Sequence, residues 1–430
     1  MELAYYGDDF TGSTDVLESL ALAGIAAELF VTAPVMLAVP PRAIGLAGLS
    51  RTFSPVEMEA HLPAAFTSLA AGRPRFLHYK VCSTFDSSPA VGSIGRAIEI
   101  GRRTLPARWT PLVVAAPHLG RWCAFGNLFA RSGFDSPAYR LDRHPTMSRH
   151  PVTPMKEADL RLVLASQTDL PVTLVDLPTV EQGPEAVLAA VTLARDGIVL
   201  FDATTAAHLA TIGHTIDTLQ RREGRSLFVA GSSGIEAALL AANAVAPDHG
   251  ADAAATAAAA SGPVLVVSGS RSPVTARQID TALHEGFVDI PIPASDAVEA
   301  ADRVVASATT AHREGRSLIL RTGDGDWTEM AGAALGRLLG GHAARILDAV
   351  GFRRVVVTGG DTSGEVARRM GISSLRFAAP LAAGAPWCRV ASVHPAVDGG
   401  EFAFKGGQVG KDDFFVMARD ARAASSRMCS

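Results

Sequence analysis

The chain has 430 residues, and its 39 Lys and Arg against 43 Asp and Glu give a formal charge of −4. Hydrophobic residues make up 48% and charged ones 19%, which excludes a disordered chain. The near-neutral balance excludes a protein that owes its affinity to phosphate backbones or anionic lipid. Four cysteines carry no CxxC or zinc-type Cys/His spacing, so reduced thiols are expected rather than a disulfide or zinc scaffold. At about 150 residues per domain the length suits two or three domains. The most apolar stretch, residues 16 to 49, is cut by Glu18, Glu28, Pro34, Pro40, Pro41 and Arg42, and it falls short of the ~20 apolar residues of a spanning helix. With no basic n-region at the start, no secretory signal is expected. A cytoplasmic protein that engages neither membrane nor nucleic acid is the expectation; a homo-oligomer is left open.

From the first residues, LAYYG reads as a strand, DDFTG as its loop and STDVLESLALAG as a helix. Leu17, Leu20, Ala21 and Gly24 share one helical face, Gly24 suits the C-cap, and the next strand pattern starts near Ile25. Asp8 and Asp9 stand at the carboxyl end of that first strand. Two adjacent carboxylates are costly to bury without partners, so they suit a site for hydroxyls, a lysine or a metal, or else charge stabilisation of the helix start. Arg51 follows the strand-like IGLAGLS, where it suits a bidentate carboxylate contact or faces solvent. HYKVCSTFDSSP then places Lys80, Ser83, Thr84, Asp86, Ser87 and Ser88 after FLHY. That density of donors and acceptors suits a polyhydroxy acid, the alternative being a polar turn that needs only one or two of them. His144 and His150 each precede proline, which puts both in extended or turn backbone and suits shaping a site better than ligating zinc.

The strand, loop, helix order returns at SLFVA-GSSG-IEAALLAA, residues 226 to 242. AVAPDHGADAAATAAAASGP, residues 244 to 263, has few large apolar residues and reads as a linker. It divides the chain into a domain at 1–245, a linker at 246–263 and a domain at 264–430. Beyond it lie three glycine loops: SGSRSP after VLVV, GGDTSG after RVVVT, and KGGQVG after the alternating EFAF. Ser268, Ser270 and Ser272 offer hydroxyls, and Gly359 and Gly360 allow close backbone approach to a ligand. Asp361, Thr362 and Ser363 are N-cap types before a helix expected to start near Glu365. Gly406 and Gly407 suit a backbone anion nest to which Lys405 would add charge. Each loop alone is also compatible with an ordinary turn. Three in one expected domain point to phosphate binding at helix starts, although none matches GxxxxGK[ST] or GxGxxG. Apolar strands alternating with helices predict two α/β domains with largely parallel sheets and a ligand cleft between them.

Taken in order, GDDFTGSTD, KVCSTFDSSP with GSIG, FGNLFAR, RHPTMSRHPVTPM, SGSRSP, GGDTSG, GAPWCR and KGGQVG resemble the four-carbon acid sugar kinase family over nearly the whole chain. The resemblance implies a sugar-acid-binding domain followed by a nucleotide-binding one, and ATP-dependent phosphorylation of a hydroxyl on a tetronate or 3-oxo-tetronate, with Mg²⁺ bridging the phosphates. It makes Asp9, Arg51, Lys80, Ser83 and Thr84, with Asp86 beside them, substrate contacts. It makes Ser268, Ser270, Gly359, Gly360, Asp361, Thr362, Gly406 and Gly407 ATP contacts. Asp8 or Asp9 is the candidate to orient the acceptor hydroxyl and take its proton; no metal-ligating residue is assigned. The start YYGDDFTGSTD departs from IADDFTGA, and KGGQVG from KSGNFG, which favours a branched acid such as 3-oxo-isoapionate. Two other readings stay open: a nicotinamide-dependent oxidoreductase on sugar acids, which the missing GxGxxG disfavours, and a non-catalytic sugar-acid or nucleotide sensor.

Overall fold

A computed structural model describes residues 1–32, 40–133, 136–150, 152–245, 261–294, 300–323, 325, 327 and 332–422. The chain forms two compact units, one built from Met1–Asp8 with Ala33–Asp248, the other from Asp9–Thr32 with His249–Met428. The expected linker falls largely outside the described residues. A single cut there does not anticipate that residues 9–32 pack with the C-terminal part of the chain.

In chain order the first half runs β1 (Leu3–Gly7), α1 (Phe10–Leu22), β2 (Ala27–Phe30), β3 (Ala43–Ala47), α2 (Pro55–Ala70), β4 (Phe76–Lys80), α3 (Ile94–Thr104) and β5 (Trp109–Val113). It continues with the short strands β6 (Arg121–Ala124), β7 (Asn127–Arg131) and β8 (Ala138–Arg140), then α4 (Leu160–Ala165) and β9 (Val172–Val175). Next come α5 (Leu177–Glu181), α6 (Pro184–Leu193), β10 (Gly197–Phe201), α7 (Ala206–Glu223), β11 (Leu227–Gly231) and α8 (Ser233–Ala241). In the N-terminal unit the strands lie in the order β3-β1-β4-β11-β5-β10-β9, and every pairing is parallel. β1, β3, β4, β10 and β11 are buried along their whole length. A sheet covered on both faces demands such near-continuous apolar runs. α2 is started by a capping box between Ser54 and Glu57, with Pro55 in its first turn.

The C-terminal unit adds β12 (Leu265–Ser268), α9 (Pro273–His284), β13 (Val288–Ile292), α10 (Ala301–Arg313), β14 (Leu318–Thr322) and α11 (Ala333–Val350). It ends with β15 (Arg354–Thr358), α12 (Gly360–Arg369), β16 (Ile372–Ala382), β17 (Ala385–Ser392), β18 (Glu401–Lys405) and α13 (Phe414–Asp420). Its strand order is β13-β14-β12-β15-β18-β17-β16-β2. It is parallel as far as β18 and antiparallel from there to β2. The fold class is therefore α/β with largely parallel sheets, as expected. α12 begins at Gly360, not near Glu365, so Asp361, Thr362 and Ser363 form its first turn instead of capping it; Gly359 is the N-cap residue. β18 is a parallel partner of β15 and not one arm of a hairpin, so its following loop lies beside the loop after β15.

α1 carries Glu18 into the interior, where it accepts the N–H of Gly384 at 2.6 Å. Burial pushes its carboxyl up to about 8, against the lowering effect of that bond. The native chain thus keeps a proton that the unfolded chain loses near the ordinary value of 4.5. The stability this group contributes is present at low pH and is lost as pH rises from about 4.5 to about 8. Glu18→Gln is expected to flatten the fall in melting temperature across that window; melting curves for variant and wild type that stay parallel would refute the assignment.

Candidate functional site

In the N-terminal unit the polar residues gather at the carboxyl ends of β1, β3 and β4, the edge where parallel sheets bind ligands. Asp8 is 2% exposed. Its N–H donates to the Lys80 carbonyl at 2.9 Å and its carbonyl accepts from Arg51 N at 3.0 Å. The Arg51 guanidinium grips the Asp8 carboxylate with two prongs, Nη2 to Oδ1 at 2.8 Å and Nε to Oδ2 at 3.3 Å. The loop can close this way because Gly92, at φ +64°, passes the Arg51 backbone so closely that a Cβ there would stand 2.6 Å from the Arg51 carbonyl oxygen. Arg51 is therefore turned to a partner within the protein.

Lys80 ends β4, buried, in register with Gly7 on one side and Gly231 on the other. The segment after it folds on itself. The Thr84 hydroxyl donates to Asp86 Oδ1 at 2.6 Å, Cys82 Sγ lies 2.9 Å from the same hydroxyl, and Phe85 between them takes a positive φ of 58°. Burial first, and Asp86 next, push the Cys82 thiol up to about 11, so it stays protonated. Ser83 is partly buried and makes no side-chain hydrogen bond among the described residues. Gln167 braces the turn through Ser87 Oγ at 2.9 Å and Gly95 N at 3.0 Å.

Asp9, adjacent in sequence to Asp8, belongs to the other unit. It is the N-cap of α1: Oδ1 accepts from Gly12 N at 2.7 Å and Oδ2 from the Thr11 hydroxyl at 3.0 Å. A Cβ on Gly360 would meet the same Oδ2 at 4.0 Å, so Asp9 stands beside the start of α12.

The three glycine loops of the C-terminal unit follow β12, β15 and β18, which are neighbours in the sheet, and they clasp one another. Gly269 N donates to the Thr358 carbonyl at 3.2 Å, and Gly359 N to the Lys405 carbonyl at 3.0 Å. A Cβ on Gly269 would overlap Thr362 Oγ1, and one on Gly407 would stand 2.7 Å from Ser270 Oγ. Ser268 and Thr362 are buried. Ser270 Oγ accepts from Ser272 N and Ser272 Oγ from Val274 N, each at 3.2 Å, so both serines serve the start of α9. Asp361 lies in the first turn of α12; its side chain is outside the described residues. Ser268, Ser270, Gly359, Gly360, Thr362, Gly406 and Gly407 are thereby brought to one edge, where the start of α12 presents unpaired backbone N–H groups.

Lys405 does not face solvent at the 406–407 turn. It is fully buried, and its Nζ donates to Thr358 Oγ1 at 3.2 Å and Thr275 Oγ1 at 3.3 Å, while Thr275 in turn donates to the Gly407 carbonyl at 3.0 Å. The rings of Phe414 and Phe415 lie 5.5 and 5.9 Å from the ammonium. Burial pushes its pKa down to about 7. The lysine fastens the loops from beneath.

Two polar side chains of the N-terminal unit, Arg121 and His144, also lie within electrostatic reach of Asp86. Arg121 starts β6, in the excursion after β5, and Asp86 and Cys82 both act on it electrostatically. The cue was an arginine soon after the apolar run PLVVAAP. His144 is buried, with Nδ1 accepting N–H groups from Thr146 at 3.2 Å and Met147 at 3.1 Å. Its place in a turn is as the prolines imply. Among the described residues no group of three or more His, Cys, Asp or Glu is arranged to hold a metal, and no helix is long and apolar enough to cross a membrane.

Residues 3–239 match the model of a sugar-binding N-terminal domain and residues 265–415 that of a nucleotide-binding C-terminal domain. The protein is thus of a class that joins a sugar-binding module to a nucleotide-binding one. Across 99% of this chain and 95% of the relative, it is 44% identical to the 3-oxo-isoapionate kinase of Paraburkholderia graminis. It is 32% identical to the 3-oxo-tetronate kinase of Methylobacterium radiotolerans, over 98% of this chain and all of the relative. The chain belongs to the four-carbon acid sugar kinase family. Solved structures from Salmonella typhimurium LT2 (TM-score 0.78, 97% of this chain and 98% of that one) and Haemophilus influenzae (TM-score 0.73, 97% and 99%) share its fold at 22% identity.

Proposed function

We propose that the chain is an ATP-dependent kinase that phosphorylates a hydroxyl of a small acid sugar, with 3-oxo-isoapionate the leading substrate and a 3-oxo-tetronate the second. The observation that carries this reading is the 44% identity to a 3-oxo-isoapionate kinase along 99% of the chain. The convergence of three glycine loops in the unit that holds the nucleotide-binding match supports it.

Phosphoryl transfer asks mainly for positioning and charge neutralisation. Backbone N–H groups at the start of α12 and at Gly406 and Gly407 hold the ATP phosphates, with Ser268, Ser270, Thr362 and Asp361 around them. The clasped loops keep these amides fixed, so little reorganisation is needed when charge moves. Lys80, Ser83, Thr84 and Asp86 bind the acid sugar. The general base is Asp9, whose carboxylate caps α1 and stands beside Gly360 at the start of α12, whereas Asp8 is held by two bonds from Arg51. Asp9 beside α12 is also the carboxylate suited to hold a hydrated Mg²⁺, an ion that binds through one or two carboxylates plus substrate phosphates. When bound, it would neutralise phosphate charge. The need for ATP, with free thiols at Cys82, Cys123 and Cys388, fits a cytoplasmic site of action.

An ADP-release screen over 3-oxo-isoapionate, 3-oxo-tetronates and tetronates, with the product read by NMR, tests this reading. Phosphorylation of at least one acid is expected, the branched acid fastest. Ligand-induced thermal shifts without ADP release would mark a binding protein instead.

A further inference from the structure

Arg51 is held by Asp8, which leaves open what receives the carboxylate of the acid. Arg121 has the properties required. Its backbone is pinned by reciprocal bonds with Ala116 at 3.1 and 3.2 Å, directly after Gly120. One guanidinium nitrogen, Nη1, donates to the carbonyls of Leu119 at 2.9 Å and Gly120 at 3.1 Å. Nε is buried and makes no hydrogen bond. No carboxylate forms an ion pair with Arg121 among the described residues, whereas Arg51, Arg75, Arg96 and Arg102 in the same unit each have one. Arg121 is partly buried, with its Nε sealed from water, and a partly desolvated cation without a counter-ion is costly unless an anion arrives. Burial indeed weakens its hold on its proton, with Cys82 and Asp86 acting the other way.

The surroundings narrow the kind of anion. Asp86 is buried and carries a carboxylate that has taken one hydroxyl, from Thr84, at 2.6 Å; a carboxylate oxygen accepts more than one bond. His144 also faces this cluster. Burial chiefly holds its ring neutral, the Arg131 carbonyl acts against that, and Arg121 and Asp86 act on it with opposite signs. Because Nδ1 accepts two N–H groups, its proton is on Nε2 and it presents a donor. A guanidinium within electrostatic reach of a carboxylate acceptor, the two not joined in an ion pair, suits a molecule that brings a carboxylate to one and a hydroxyl on the adjacent carbon to the other.

We propose that Arg121 binds the substrate carboxylate while Asp86 accepts the hydroxyl of the neighbouring carbon, so that the N-terminal unit selects 2-hydroxy acids. This rests on the acid sugar kinase reading. The test measures binding by titration calorimetry and turnover by ADP release. The ligands are 3-oxo-isoapionate, erythronate and threonate, each beside its carboxamide, with wild type, Arg121→Met and Arg121→Lys. Wild type is expected to prefer an acid to its amide. Arg121→Met should weaken acid binding by about 10- to 100-fold, the scale of a lost charge-assisted bond. It should leave amide binding within about threefold, and Arg121→Lys should recover part of the loss. Unchanged acid affinity in Arg121→Met, or equal losses for acid and amide, would overturn the proposal, as would a wild type that binds none of the acids. An acid that binds wild type through Arg121 and is not phosphorylated would instead sink the kinase reading and uphold the carboxylate site.

Discussion

Replacing Asp9 with Asn is expected to cut turnover by about 10²- to 10⁴-fold, the range for loss of a positioned general base, while ATP affinity stays within a fewfold. Asparagine caps helices as well as aspartate does, so α1 should keep its start and the melting temperature should hold. That separation gives the experiment its value, since the Asp9 carboxylate both caps α1 and stands beside Gly360. A helix-capping role alone predicts normal turnover in the variant. Single-turnover kinetics with ATP titrations would distinguish the two, and unimpaired turnover would remove Asp9 from the chemistry.

Arg51→Met is expected to destabilise the protein by about 3–5 kcal/mol, because it strands a buried carboxylate without its partner. The Asp8 side chain is 3% exposed and that of Arg51 23%, so the lower end of the range is expected. The double variant Arg51→Met, Asp8→Asn should recover most of the loss, since no charge is then left uncompensated. Urea unfolding of wild type, both single variants and the double variant measures this. A double variant no more stable than Arg51→Met would show that the arginine contributes through packing and not through the ion pair.

Much of the fold could be read from local patterns. Apolar runs ending in glycine loops located β1, β12 and β15, because strands covered on both faces and the helix starts that follow them leave local signatures. The N-cap Ser272 and first-turn Pro273 of α9 are local signals of the same kind. What escaped depended on distant partners. Asp8 and Asp9 looked like one pair, and only the packing of α1 against α12 and the β16–β18 strands assigns Asp9 to the C-terminal unit. Lys405 reads from the sequence as charge for the turn after it; pairing of β18 with β15 buries it. Arg121 comes within electrostatic reach of Asp86 through the return of the chain after β5, a proximity no spacing rule encodes.

The assignment of residues 9–32 to the C-terminal unit also bears on how the molecule can be taken apart. The polypeptide passes from one unit to the other after Asp8, after Thr32 and after Asp248, so the units are threaded through one another's sequence and are not beads on a string. A protease that nicks the alanine-rich stretch should therefore leave a C-terminal fragment without α1 and β2, its β16 edge bare where Phe30 and Leu29 had paired with Ser374 and Leu375. Such a fragment is expected to stay with its other half through denaturant-free gel filtration, and to aggregate when made by itself. In a gene fusion or a shuffled library the natural seam would not be the linker: a C-terminal half would have to bring its first helix and strand along.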